Sequence, residues 1–187
     1  MLDPSTNRLL IPQIYNARDL GGMRTRTGQE TKYKSFIRSD SPSCLEPSGV
    51  KALFDYGVRT VIDLRSEVEV ERNGNPFIRH PEIAFHNIPL LAADPDDLSD
   101  PTMDYLVRNN LGDLYILMLE HSQESIRQVF ETIAKSGEGA ILFHCMHGKD
   151  RTGLITALLF LLADVPNRKI IENYAVSFDY IRPLVDP

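Results

Sequence analysis

A polar segment at residues 144–153, with the sequence HCMHGKDRTG, separates two apolar runs and limits the possible folds more strongly than any other part of the chain. The run before it, residues 140–143, is short and bounded by glycines, which is typical of a buried strand. The run after it, residues 154–162, is longer and rich in leucine, which favours a buried helix. We therefore predict a strand–loop–helix turn, with Cys145 at the end of the strand and the helix beginning at residues 151–152.

The residue types in this turn suit the binding and transfer of an anionic group. A loop that leads into a helix aims backbone N–H groups at a common point, where the helix dipole also favours negative charge. Arg151 adds a planar fork of donors that matches two phosphate oxygens, and a thiol at Cys145 is stabilised there as the nucleophilic thiolate. A lone cysteine after a strand is more often a small buried hydrophobic residue. Here His144 and the Thr152–Gly153 pair agree with phosphoryl transfer to the cysteine.

Three segments of the chain resemble one protein family. Residues 144–153 are similar to the HCxxGxxRTG phosphate loop of the cysteine-based phosphatases. With lysine and aspartate before the arginine, the loop looks like that of the bacterial atypical tyrosine and lipid phosphatases, a group that includes mycobacterial protein tyrosine phosphatase B. Residues 16–22, NARDLGG, resemble that group's N-x-R-D-L-G-G signature, and residues 57–66 resemble its G-x-x-T-V-I-D-L-R-S segment. The resemblance therefore covers most of the chain.

The chain is predicted to be a single phosphatase domain of the α/β class over residues 1–187. Its length favours one domain, and its alternating β and α patterns predict a mostly parallel central sheet with helices on both faces. The resemblance implies the cysteine-phosphatase fold of the dual-specificity-like type. Some relatives look longer, so a shortened chain is one interpretation of the C-terminal end. We expect strands at residues 35–38, 60–64 and 83–90, helices at residues 48–56, 67–72 and 103–119, further helices after Ser122 and Pro166, and a loop at residues 16–22.

Candidate roles follow from this chemistry and from the resemblance. Cys145 is predicted to be the nucleophile, and Arg151 is predicted to clamp two phosphoryl oxygens. Thr152 can donate a hydrogen bond to the sulfur, can cap the helix, or can do both. We expect His144 to hold the loop by hydrogen bonding. The residues expected to bind the phosphate are Met146, His147, Gly148, Lys149, Asp150 and Arg151, and the resemblance implies supporting roles for Asn16, Arg18, Asp19 and Asp63.

Two aspartates are candidates for the general acid that protonates the leaving group. Asp94 lies in an acidic stretch beyond Pro89, where related phosphatases carry a mobile acid loop. Asp150 lies in the phosphate loop itself, and the resemblance to the GKDRTG group favours it. Cationic neighbours should lower the pKa of Asp150, whereas a bound phosphate dianion should raise it. We favour Asp150 and keep Asp94 as the alternative.

The function predicted from these features is metal-independent hydrolysis of phosphomonoesters through a cysteinyl-phosphate intermediate, with no cofactor. The resemblance implies phosphotyrosine proteins, phosphoinositides or both as substrates, and Lys149 could hold a second phosphate of a phosphoinositide unless it is simply solvated. Three alternatives stay open: an inositol-phosphate phosphatase, a pseudophosphatase that only binds phosphorylated ligands, and a sulfurtransferase. The five-residue spacing between Cys145 and Arg151 and the following Thr152 favour a phosphatase over a sulfurtransferase.

The composition limits which binding partners and which cellular compartment we expect for the protein. The formal net charge of −6 and the pI of about 5.3, without a block of basic residues, argue against nucleic acid. Two cysteines do not form a disulfide framework, and residues 1–8 lack the layout of a signal peptide. A cytoplasmic protein is the default, with export by a route without a classical signal left open. The apolar helix after Gly153 is too short to span a bilayer, no metal-ligand spacing is visible, and the oligomeric state is not indicated.

Overall fold

A seven-stranded sheet runs through the part of the chain that the computed structural model describes, which is residues 1–91 and 111–185. The strands are β1 (Leu2–Asp3), β2 (Arg8–Leu9), β3 (Arg18–Asp19), β4 (Phe36–Ser39), β5 (Val58–Asp63), β6 (Ala84–Asn87) and β7 (Ala140–His144). The helices in these ranges are α1 (Pro47–Tyr56), α2 (Glu67–Asn73), α3 (Leu111–His121), α4 (Gln123–Lys135), α5 (Asp150–Leu162), α6 (Asn167–Ala175) and α7 (Ser177–Val185). None of these helices is both long and apolar enough to cross a bilayer.

The order of the strands is β1-β2-β3-β4-β7-β5-β6, and the four longer strands β4, β7, β5 and β6 are parallel. The predicted mixed α/β fold with a mostly parallel sheet is therefore confirmed. The short strands β1 to β3 extend it antiparallel to β4. Residues 16–22 differ from the expected loop, because Arg18 and Asp19 form β3 and pair with Arg38 and Ile37.

The parallel register brings three strand ends to one edge of the sheet. Ser39 at the end of β4 and Asp63 at the end of β5 both align with His144, the last residue of β7. All five residues of β7 are buried, as expected for a strand covered on both faces. Ligands bind at the carboxyl edge of such sheets, and Cys145 follows β7 directly at this edge.

Side chains that alternate along β7 build two separate cores. Leu142 packs in a cluster with Val61 and with Leu53 of α1. Phe143 packs in a second cluster on the other face, with Ile155 of α5. Helices therefore cover both faces of the sheet, as the sequence predicts.

Two serines that lie near a helix start do not act as N-caps. Helix α1 begins at Pro47, so Ser48 lies inside it and Glu46 is the N-cap residue. Ser122 precedes α4, but its hydroxyl donates to the carbonyl of Leu90 instead of capping the helix. Ser66, by contrast, forms a full capping box with Glu69 at the start of α2. The helix expected at residues 103–119 overlaps α3 from residue 111 onward, and its earlier part lies outside the described residues.

Candidate active site

The loop between β7 and α5 forms the turn that the sequence predicts. Cys145 is buried, at 3% exposed, directly after the strand, and α5 begins at Asp150, one residue before the expected start. Lys149 is the N-cap residue and makes no side-chain capping bond, so no side chain of the loop closes off the first helical N–H groups. The N-terminal turn of the helix thus follows the loop directly, without a capping side chain from Lys149.

The carbonyl groups of this loop all accept hydrogen bonds from outside it or from His144. As a result the loop carbonyls point outward, and within the described residues the N–H groups of residues 146–149 have no partner. Inward N–H groups of this kind form an anion cradle. The bonds are Leu64 N to His144 O (2.8 Å), His144 Nδ1 to Cys145 O (3.1 Å), Ser41 N to Met146 O (2.9 Å), Asn16 Nδ2 to His147 O (2.9 Å) and Gly148 O (3.1 Å), and Arg38 Nη2 to Gly148 O (2.6 Å) and Lys149 O (3.4 Å).

Gly148 is the one loop position that requires glycine. Its φ is 65°, in the left-handed region that residues with a Cβ avoid. A Cβ there would also lie 2.4 Å from the carbonyl oxygen of Ser39. Because Gly148 has no side chain, the loop can pack directly against the backbone at the end of strand β4.

Arg151 is held by a partner that the sequence analysis did not identify. Its Nη1 lies 2.5 Å from Glu69 Oε2, and its Nη2 lies 2.8 Å from Glu69 Oε1. The capping box fixes Glu69 in turn, because the backbone N–H of Ser66 donates to Oε2 at 2.8 Å. Burial opposes the charge on Arg151, but the bonds to Glu69 and the nearby Cys145 raise the pKa of the guanidinium overall. The S-x-x-E pattern at residues 66–69 was the sequence signal that could have revealed Glu69.

His144 lies behind the loop as a neutral ring. Its Nδ1 faces the carbonyl of Cys145, so Nδ1 carries the proton, and its Nε2 accepts from Asn75 Nδ2 at 3.0 Å. The amide of Asn75 is oriented by the N–H of Phe77, which donates to its Oδ1. Burial lowers the pKa of His144 against the opposing effect of Asp63, whose Oδ2 lies 3.5 Å from Nε2. Holding the loop by hydrogen bonding stays the predicted role of His144, and its bond to the carbonyl of Cys145 is the contact through which it would act.

The four predicted supporting residues lie at different distances from the loop. Asn16 bonds to the loop directly, and Arg18 donates to the side-chain oxygen of Asn16 and to the carbonyl of Asn173 (3.0 Å). Asp19 accepts from two backbone N–H groups and the Tyr56 hydroxyl, so it organises its own segment and does not contact the loop. Asp63 forms a buried ion pair with Arg65 at 2.7 Å.

Asp150 sits in a cluster formed with α3 and α6. Its Oδ1 lies 2.8 Å from the hydroxyl of Tyr115, 3.2 Å from the hydroxyl of Tyr174 and 3.2 Å from Lys149 Nζ. Lys149 Nζ also lies 4.5 Å from the centre of the Phe178 ring. Lys149 is only 8% exposed, so the alternative of a simply solvated lysine does not describe it.

The remaining predicted residues are less constrained. Thr152 Oγ1 is buried and has no hydrogen-bond partner within residues 1–91 and 111–185. His147 is exposed, and together with Met146 it lines a pocket of about 380 Å³ beside the loop. Partial burial lowers the pKa of His147. Asp94 lies outside the described residues.

Among the described residues, no group of three or more His, Cys, Asp and Glu side chains is arranged to hold a metal ion.

A buried cysteine at the base of an amide-lined loop, with a charged arginine beside it, is the type of site found in cysteine-dependent phosphatases on an α/β fold. Comparison with known families agrees with this class. Residues 9–186 match the model of the tyrosine phosphatase family, and the chain belongs to that family.

Several proteins that are similar to the chain are also described as tyrosine or protein phosphatases. The chain is 37% identical to a tyrosine-protein phosphatase of Nostoc commune, over 79% of this chain and 49% of that protein. It is 28% identical to a putative tyrosine-protein phosphatase of Cupriavidus necator, over 90% of this chain and 62% of that protein. It is also 28% identical to the triple specificity protein phosphatase PtpB of Mycobacterium tuberculosis, over 93% and 70% of the two chains. The chain thus spans about half the length of the Nostoc relative.

Matches among solved structures include TpbA of P. aeruginosa. This protein is 16% identical to the chain with a TM-score of 0.47, and the match covers 98% of this chain and 92% of TpbA. A TpbA variant in complex with pTyr matches with a TM-score of 0.43 and 16% identity, over 93% and 75% of the two chains.

The Glu69–Arg151 pair should make stability depend on pH. Burial would raise the pKa of Glu69, but the bonds from Arg151 lower it overall below the ordinary value of 4.5. The stabilisation is therefore complete above pH 4.5 and is lost as pH falls through the lower, folded-state pKa. Glu69→Gln should lower the free energy of unfolding by about 3 kcal/mol near pH 7. The difference from wild type should shrink as the pH falls below 4.5. Urea unfolding from pH 7 to pH 3 measures it.

The matched control for this prediction is Glu124→Gln on α4. Glu124 pairs with Arg127 on the surface, so the same substitution removes an exposed ion pair and should leave stability near the wild-type value. A constant difference between Glu69→Gln and wild type across the whole pH range would contradict the prediction.

Proposed function

We propose that the chain is a metal-independent phosphomonoester phosphatase that acts through a cysteinyl-phosphate intermediate, with phosphotyrosine in proteins as its main substrate. The observation that carries the proposal is the loop whose carbonyls are all bonded outward around the buried Cys145. Inward N–H groups and the charged Arg151 stabilise a phosphate dianion and the thiolate at the same point. Membership in the tyrosine phosphatase family supports the same activity.

In the first step the thiolate of Cys145 attacks the phosphorus of the substrate. A sulfur–phosphorus bond forms, the ester phosphorus–oxygen bond breaks, and the leaving oxygen takes a proton from a general acid. Glu69 occupies the Nη1–Nη2 edge of Arg151, so the edge that includes Nε carries the donors available to phosphoryl oxygens. Glu69 thereby sets the orientation of the clamp.

In the second step water attacks the phosphorus of the cysteinyl-phosphate. The sulfur–phosphorus bond breaks, Cys145 leaves as the thiolate, and the carboxylate that gave up its proton takes one from the water. Thr152 is proposed to donate a hydrogen bond to the departing sulfur. Its buried hydroxyl, unbonded within the described ranges, supports this role.

Asp150 is the proposed general acid, with Asp94 as the alternative. All the contacts of the Asp150 carboxylate described above involve Oδ1, which accepts from Tyr115 and Tyr174. A protonated carboxyl group with Oδ1 as acceptor would carry its proton on Oδ2, the oxygen left for the leaving group. The position of Asp150 in the first turn of α5 keeps it beside the reacting phosphoryl group.

Phosphoinositides are a second candidate substrate class, favoured by Lys149. Its ammonium group lies in the phosphate loop, 3.2 Å from Asp150 Oδ1, and its contact with the Phe178 ring limits its movement. A second phosphate of an inositide could take the place of the Asp150 contact. A cytoplasmic site of action remains part of the proposal, and both cysteines are free thiols.

Cys145→Ser should abolish hydrolysis of an aryl phosphate while leaving the anion cradle intact. A serine hydroxyl has no activating base in this loop, so turnover should fall by more than about 10³-fold. Steady-state hydrolysis and calorimetric binding of a phosphotyrosine peptide measure the two effects. Cys44→Ser, at the exposed second cysteine, is the matched control and should keep full turnover.

The wild-type protein distinguishes the alternative functions in the same experiment. Phosphopeptide binding without hydrolysis would identify a pseudophosphatase and refute the proposal. Sulfur transfer from thiosulfate to cyanide without phosphatase activity would instead identify a sulfurtransferase.

Asp150→Asn should slow esters with poor leaving groups far more than activated esters. A nitrophenolate leaves without a proton, whereas tyrosine and alkyl oxygens need one, so the loss should grow with the pKa of the leaving group. Removing the acid should also flatten the alkaline limb of the pH–rate profile. Asp94→Asn provides the comparison: if it shows the leaving-group dependence and Asp150→Asn slows all esters equally, the assignment to Asp150 is wrong.

Lys149→Met should impair hydrolysis of a bisphosphorylated inositide more than hydrolysis of phosphotyrosine, by about tenfold in relative kcat/KM, since it removes one cation–phosphate contact. Lys169→Met on α6 is the control, because that lysine is half exposed and pairs with Glu172 on the surface. Equal losses for both substrates in Lys149→Met would show that the lysine supports the loop and does not select the substrate.

A further inference from the structure

Two arginines lie buried behind the phosphate loop without an acidic partner. Arg18, Arg38 and Arg65 are the fully buried arginines among the described residues. Arg65 pairs with Asp63 at 2.7 Å, but neither Arg18 nor Arg38 has a carboxylate within ion-pair distance in that part of the chain. A buried charge without a counter-ion is costly, so its retention calls for a specific explanation.

Within residues 1–91 and 111–185, the acceptors of Arg38 are all neutral, and they link the loop to the C-terminal helices. Its Nη2 donates to Gly148 O at 2.6 Å and reaches Lys149 O at 3.4 Å. Its Nη1 donates to Asn173 Oδ1 of α6 at 2.9 Å. Because Arg38 aligns with Phe143 in the neighbouring strand β7, its guanidinium lies directly behind the catalytic loop.

Arg18 lies in the same layer and is also surrounded by neutral acceptors. It donates to the side-chain oxygen of Asn16, to Asn173 O at 3.0 Å and to Ser177 Oγ at 2.9 Å. Asp40 acts on Arg18 from further away, and that carboxylate already accepts the backbone N–H groups of Tyr15 and Asn16. Burial and the neighbouring Arg38 lower the pKa of Arg18 well below its ordinary value, and no carboxylate in the described ranges forms an ion pair with either guanidinium.

Among the described residues, the other charged side chains of the site form ion pairs, so each acts on the thiolate together with an opposite charge. Arg151 is paired with Glu69, Lys149 with Asp150, and Asp63 with Arg65. Burial lowers the pKa values of His144 and His147, which favours their neutral forms. Burial also lowers the pKa of Arg38 to about 10, and the Cys145 thiolate is the strongest opposing influence. Arg38 is thus still charged at neutral pH, and by reciprocity it favours the thiolate.

We propose that Arg38 is a positioning residue for the phosphate loop and that it supplies buried positive charge that stabilises the Cys145 thiolate and the bound phosphate dianion. Arg38 acts through the loop and through space and does not contact the substrate. This inference deepens the proposed phosphatase function and rests on it. It also explains why Asn16, Asn173 and Ser177 present neutral oxygens to the two guanidinium groups: a carboxylate at any of these positions would cancel the charge.

The test measures the pKa of the Cys145 thiol from the pH dependence of its alkylation by iodoacetamide, in a Cys44→Ser background so that only one thiol reacts. Arg38→Met should raise this pKa by about one pH unit, because it removes a nearby positive charge. Arg38→Lys keeps the charge but not the fork, so it should keep the pKa near wild type while losing kcat/KM for an aryl phosphate. Arg59→Met is the control: Arg59 is a half-buried arginine that also bonds to backbone carbonyls, but at the opposite end of β5. It should change neither quantity.

Asn173→Asp keeps the test decisive if Arg38→Met does not fold. The substitution preserves the side-chain size and the bonds of Arg38 to the loop, but it places a carboxylate against the guanidinium. We expect the thiol pKa to rise by about one pH unit while thermal stability is kept or increased. A purely structural role of Arg38 would leave the thiol pKa unchanged in folded Asn173→Asp, and that result would overturn the proposal. So would a wild-type thiol with an ordinary pKa near 8.5.

Alkylation does not depend on turnover, so the two proposals can fail separately. An acidic thiol with the expected pattern of variants but without hydrolysis of any phosphate ester would refute the proposed function alone. Hydrolysis with a thiol pKa that does not respond to Arg38→Met or Asn173→Asp would refute this inference alone.

Discussion

The outward hydrogen bonding of the phosphate-loop carbonyls is the constraint on which the rest of the site depends. A peptide group that turns its carbonyl away must turn its N–H toward the opposite side, so each outward bond contributes to the inward cradle. The donors come from three distant parts of the chain, as Asn16 and Arg38 illustrate. The segment that leads into strand β3 therefore supports the phosphate loop, while β3 itself extends the sheet.

The second requirement is a fixed arginine beside the thiol. A single acidic side chain, Glu69, both closes the capping box of α2 and binds the two terminal nitrogens of Arg151. One residue thereby joins the start of a helix to the orientation of the proposed phosphate clamp. On the other side of the loop, the hydroxyls of Tyr115 and Tyr174 connect Asp150 to α3 and α6. The helices around the sheet thus hold the side chains whose geometry the chemistry requires.

The local sequence pattern was sufficient to predict the strand–loop–helix turn at Cys145. A short apolar strand, a glycine-containing loop and a leucine-rich helix are each easy to recognise in a sequence. The pattern was also sufficient for the parallel sheet, whereas a supporting role of Asn16 was implied only by the resemblance of residues 16–22 to a family signature. It was not sufficient for Ser48 and Ser122, which look like helix caps but do not cap. Serine occurs in many structural contexts. Whether it caps a helix depends on the residue at which the helix begins, and tertiary packing decides that residue.

The sequence by itself determined the mixed α/β class and the strand–loop–helix turn at Cys145, and it predicted which residues can carry the chemistry, since these features depend on residue types that are close together in the chain. Only the tertiary structure revealed Glu69 as the partner of Arg151 and Arg38 as a buried cation behind the loop. These contacts join residues separated by 82 and 110 positions, respectively. These contacts depend on the sheet register and on burial. The sequence alone does not distinguish an arginine that faces water from one that, like Arg38, lies fully buried against the carbonyls of the phosphate loop.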